Sequence, residues 1–78
     1  MKQATFRVLF FPKCNRYVAI AWNYNEAVLI STRDRETYED AKVELMSLAD
    51  ERGVELRWFD GEYEVIGDDL IVPRATLT

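Results

Sequence analysis

Residues 54 to 66 read VELRWFDGEYEVI, with Asp60-Gly61 set between two runs that alternate apolar and polar residues. A two-residue turn of type I′ needs positive φ at both central positions, and Asp-Gly tolerates this well. The spacing therefore predicts a β-hairpin whose register the turn fixes. Phe59 faces Glu62, Trp58 faces Tyr63, Arg57 faces Glu64 and Leu56 faces Val65. In that register Leu56, Trp58, Tyr63 and Val65 share one face, while Arg57 and Glu64 pair across the other. A slip of one residue would destroy both patterns.

The preceding segment, residues 32 to 53, has a helical period. Tyr38, Ala41, Leu45, Leu48 and Ala49 recur at spacings of three and four and make one apolar stripe, flanked by Val43 and Met46. Asp34 is the expected N-cap, with acids in the first turn where the helix dipole favours them. Gly53, just after Arg52, stands where a terminating glycine belongs. Glu36, Asp40, Glu44 and Glu51 lie away from the stripe.

Residues 6 to 22, FRVLFFPKCNRYVAIAW, barely alternate at all. They open a predicted three-stranded meander with loops Lys13-Cys14-Asn15 and Asn23-Tyr24-Asn25. Each loop ends in Asn, which tolerates the left-handed conformation such a loop needs. These loops pair Phe10 with Val18, Val8 with Ile20 and Phe6 with Trp22, then Ile20 with Val28 and Val18 with Ile30. One apolar face then suits the helix. The other shows Arg7, Leu9, Phe11, Tyr17, Ala19, Ala21, Ala27 and Leu29. In the tail, Gly67-Asp68 predicts a turn and Leu70-Ile71-Val72 a short edge strand ended by Pro73. The order is βββαββ with that short last strand added. This is an α+β domain spanning residues 1–78, with one helix on an antiparallel sheet.

Seventy-eight residues suit one small domain that buries about 60% of its unfolded surface. Apolar residues make up 49% and charged residues 31%, the balance of a folded chain rather than a disordered one. No apolar run approaches the roughly 20 residues of a bilayer span, so no membrane contact is expected. The period-2 pattern near the N-terminus, returning to charge at Lys13, argues against a signal peptide. The single cysteine, Cys14, excludes an intrachain disulfide and suits a reducing, cytoplasmic setting.

Catalytic chemistry has little to work with. There is no histidine, which removes the usual general base and the commonest metal ligand. Three glycines make no phosphate loop. Cys14 sits on a turn near Lys13 and Arg16, yet nothing nearby would activate it as a nucleophile. Asp68-Asp69 with Glu62 or Glu64 has oxygen ligands but no EF-hand spacing. No catalytic residue, metal or cofactor is assigned, and no enzyme is expected.

Charge is unevenly distributed along the chain. Residues 1–35 carry six basic and two acidic residues (+4), and residues 36–78 four basic and twelve acidic (−8), giving the total of −4. Two contact surfaces follow. The first is the outer sheet face, with Arg7, Leu9, Phe11, Tyr17 and Leu29, too apolar to stay in water. The second is the row Glu36, Asp40 and Glu44 at spacings of four, which suits a basic partner such as a nucleic-acid-handling protein. Lys13 and Arg16 beside those aromatics offer the alternative of stacking on single-stranded nucleic acid.

Three strands followed by an acid-started helix, through residue 52, resemble the small antitoxin domains of the HicB type, which have a degraded ribonuclease-H-like layout. The expected function is a non-enzymatic protein-binding domain, in the manner of small phage or mobile-element regulators and inhibitors that occupy a partner's surface. The alternatives are a nucleic-acid-binding module and a self-associating domain that forms a homodimer.

Overall fold

β1 (Lys2–Phe11) has a strand neighbour on each edge, so both rows of its backbone hydrogen-bonding groups are paired. The computed structural model describes residues 1–68 and 70–74. Within it, β2 (Arg16–Asn23), β3 (Val28–Ser31), helix α1 (Tyr38–Glu51), β4 (Val54–Ile66) and β5 (Leu70–Pro73) follow β1. The five strands form one sheet in the order β3-β2-β1-β4-β5. The α+β class is as expected, and so are the turn at Gly67 and the last strand. The sheet, however, is mixed: β1 is antiparallel to β2 and parallel to β4.

The predicted hairpin at Asp60-Gly61 does not form. Residues 54–66 make one continuous strand along β1, from Lys2 opposite Val54 to Phe10 opposite Glu64. Two register shifts absorb the surplus length, one skipping Arg57 and the other skipping Asp60. Gly61 takes φ +124° beside the second bulge. Folding back at residue 60 would have left much of β1 without its second neighbour. The bulges also redistribute side chains. Leu56 and Phe59 face the helix, whereas Trp58 and Tyr63 face away, opposite Thr5 and Leu9.

The meander forms with both loops one residue longer than expected. Phe11 pairs with Arg16, leaving four residues in the turn, and the Phe11 carbonyl accepts from the Cys14 and Asn15 amides at 3.3 and 2.8 Å. Pro12 has no N–H for the ladder, and its fixed φ suits the start of a turn. Asn15 is left-handed as expected, at φ 56°. At the second loop the Asn23 side chain accepts from the Asn25 amide, drawing Tyr24–Glu26 into a 3₁₀ turn, and Ala27 rather than Asn25 becomes left-handed. The β1–β2 slip turns β2 over. Ala19 and Ala21 face the helix, and Val18, Ile20 and Trp22 face away. Ala21 pairs with Ile30 and Trp22 with Leu29.

The core lies between α1 and one sheet face. Ala41, Leu45 and Ala49 of the helix meet Ala4, Val8, Ala19, Ala21, Ile30 and Val54, with Tyr38 and Leu48 packed at the margin. Alanines on both surfaces let helix and sheet approach closely. The helix begins later than expected, because residues 32–35 remain extended. Arg35 exchanges backbone hydrogen bonds with Tyr17, both at 2.8 Å, and the Thr32 hydroxyl accepts from the Ala19 amide at 3.0 Å. Thr37, not Asp34, caps the helix by accepting from the Asp40 amide at 3.1 Å. Gly53 ends it at φ +67°.

Candidate protein-contact surface

The sheet face away from α1 carries no described element. Alternation along β1 and its partners places Thr5, Arg7, Leu9 and Phe11 there, beside Val18, Ile20 and Trp22 of β2, Leu29 of β3, and Trp58 and Tyr63 of β4. At its centre the Arg7 guanidinium lies between two aromatic rings, 4.8 Å from the centroid of Trp22 and 4.5 Å from that of Tyr63. Asp60 closes the stack with an ion pair to Arg7 at 2.6 Å. The bulge at Asp60 turns this carboxylate toward Arg7. Arg7 Nε is buried with no hydrogen-bond partner. Aromatic faces hold a guanidinium by cation–π attraction, so the stack is formed within the chain itself. Around it Leu9 is nearly covered by its neighbours, at 9% exposure, while Leu29 is 71% and Trp58 48% exposed.

Of the expected contact residues, Arg7, Leu9, Phe11 and Leu29 do share this face. Tyr17 does not. It lies on the helix side, its ring 4.8 Å from Phe10 and 6.4 Å from Tyr38. Ala19 and Ala21, also expected outside, are core residues. Val18, Ile20 and Trp22 take their places, which makes the outer face bulkier and more apolar than the sequence suggested. Arg16 reaches Glu36 at 3.6 Å, and Lys13 stands on the exposed turn.

The acidic row is not one surface. Glu44 is drawn in, accepting from the Arg33 amide at 2.8 Å and from the Arg35 guanidinium. The Arg33 amide, then the Arg35 side chain, hold its carboxyl below the usual value. Only Glu36 and Asp40 of the row remain exposed. A group with a depressed folded-state pKa stabilises the fold above its unfolded pKa and loses that contribution as the pH falls through the folded value. Glu44→Gln is therefore expected to cost about 1 kcal/mol at neutral pH. Urea unfolding followed from pH 7 downward should show wild type and variant converging below about pH 4. A constant gap would contradict the assignment.

Charge asymmetry along the chain resolves inside the fold. Arg7, Arg16, Arg33 and Arg35 of the basic first part pair with Asp60, Glu36 and Glu44 of the acidic second part.

On the helix side, Arg74 bonds Tyr17 Oη at 3.0 Å and Glu62 at 2.6 Å, and covers the Phe10 ring at 4.1 Å. Burial, then the Glu62 and Glu39 charges, raise the Tyr38 phenol above its usual value, so it stays protonated. An open groove of about 600 Å³ between β3 and α1 is lined by Arg33, Arg35 and Arg52 but also by Asp40 and Glu44. Among the described residues no group of three or more His, Cys, Asp or Glu side chains is placed to hold a metal ion, and Asp69 lies outside them. No described helix is long and apolar enough to cross a membrane. No family model, curated protein or solved structure matches the chain, so the antitoxin-type resemblance stays one of element order.

Proposed function

We propose that the chain is a non-enzymatic protein-binding domain whose contact surface is the helix-free face of its sheet. The observation that carries this reading is the Trp22–Arg7–Tyr63 stack at the centre of that face, ringed by Leu9, Val18, Ile20, Leu29 and Trp58. Trp, Tyr and Arg dominate the binding energy of protein interfaces and cluster at their centres, inside a ring of residues that excludes water. A pre-formed, ion-paired stack loses little conformational freedom on binding, which favours affinity. An apolar strip this wide is unusual on a monomer left in water.

Nucleic acid is the weaker reading. Arg7 already spends its charge on Asp60, and Arg16 lies against Glu36. The test is affinity capture by the intact chain from its native host, comparing wild type with Leu29→Glu and Trp58→Glu. Both side chains are already solvent-exposed in the free chain, so both variants should fold. A protein retained by wild type at high salt and lost from both variants is the expected result. Retention unaffected by these changes, or abolished instead by Lys13→Glu on the exposed turn, would reject the proposal.

A further inference from the structure

We infer that the protein bound on this face is a second copy of the same chain, docked sheet against sheet about a two-fold axis. The inference rests on the reading of the face as a protein contact and names its occupant. Three features point to a copy rather than to a foreign chain.

The first is charge. Among the described residues, the ionised side chains that the register and its two bulges bring to the face are paired within their own chain. Arg7 pairs with Asp60 at 2.6 Å, Arg57 with Glu55 at 3.6 Å and Arg16 with Glu36 at 3.6 Å. A foreign partner is usually selected by complementary charge. A self-complementary contact must instead place like beside like near its axis, and a locally neutral face allows that.

The second is area. The five strands hold 10, 8, 4, 13 and 4 residues, and at about 3.3 Å per residue and about 4.8 Å between strands they give a footprint of about 600 Å². Two such faces bury about 1,200 Å², the lower end of the range for stable specific interfaces. A smaller partner would leave Leu29 or Trp58, at opposite sides of the stack, in water.

The third is shape. Sheets pack face to face about 10 Å apart when their twists match, and a copy brings the same twist by construction. Helix α1 covers the other face, so a second sheet is a layer that completes a sandwich.

The association has a distinctive salt response. Each copy carries a formal charge of −4, so long-range repulsion opposes dimerisation and is screened by added salt. Apolar burial is strengthened by sulfate. The dimer should therefore tighten as sodium sulfate is added, the opposite of any contact driven by basic groups.

Sedimentation equilibrium of the full chain across micromolar concentrations is the test. Twice the chain mass is expected for wild type. Leu29→Glu and Trp58→Glu each appear twice in a symmetric dimer, so each should raise the dissociation constant by about a hundredfold. Circular dichroism should show both variants folded. A wild-type monomer at every concentration overturns the inference, as does a dimer that either variant leaves intact or that sulfate dissociates. The parent reading is judged separately: if a monomeric wild type still captures a host protein that both variants lose, the face binds a foreign chain and only the second-copy assignment falls.

Discussion

Leu45→Ala is expected to lower the unfolding free energy by about 2 to 5 kcal/mol, the range for a large aliphatic side chain removed from a packed core. Leu45 is fully buried, midway along α1 and in one core cluster with Val8, Ala19 and Ile30 of the sheet. Its neighbours on the stripe, Ala41 and Ala49, are too small to swing into the space, so much of the cavity would stay open. At about 0.05–0.15 kcal/mol per residue, a domain of this length has about 4 to 12 kcal/mol in all. The variant should thus lose a large share of its stability, and its midpoint in urea should fall with the slope unchanged. Met46→Ala is the control. Met46 is the next residue on the same helix but 54% exposed, and its loss should cost no more than about 0.5 kcal/mol. Equal losses from the two variants would contradict the placement of α1 on the sheet.

That stripe was readable from spacing alone, and so were both faces of β1, because each depends only on residues three, four or two apart. What escaped the sequence was pairing. β2 is inverted because Pro12 withholds a ladder N–H and moves into the turn, which lengthens it by one residue. Weighing that missing donor would have sent Val18, Ile20 and Trp22 outward and kept Tyr17, Ala19 and Ala21 inside. The β1–β4 pairing joins residues about fifty apart in sequence and leaves no local pattern. A first trace is that β1 reads as a near-continuous apolar run, a pattern common in strands that pair in parallel. An arginine alone on the apolar side of β1 was a second trace, since a half-buried guanidinium needs an acid, and Asp60 is that acid. Asp34 lost the helix cap to Thr37 because the Tyr17–Arg35 bridge holds its segment extended. Sequence spacing also made Glu36, Asp40 and Glu44 one acidic row, whereas two nearby arginines withdraw Glu44 from it.

Gly61 separates the two readings of residues 54–66 in solution. A type I′ turn holds its glycine near the left-handed region, where Asn is nearly as acceptable. The bulge instead holds Gly61 at φ +124°, well beyond that region, where any side chain is strained. A Cβ built there meets nothing nearer than Tyr63 Cε1 at 3.7 Å, an ordinary contact, so the penalty comes from the backbone and not from a clash. Gly61→Asn and Gly61→Ala are therefore expected to cost similar amounts, about 1 to 3 kcal/mol each. A hairpin would accept the Asn with little loss. Chemical denaturation of the two variants decides between them, and a near-neutral Gly61→Asn would reject the continuous parallel strand. The result bears on the contact face as well. The same bulge aims Asp60 at Arg7, and without it the Trp22–Arg7–Tyr63 stack would hold an unpaired charge at the centre of an apolar surface. The need for glycine at position 61 is thus coupled to the neutrality of the face, since a backbone path without the bulge would undo both.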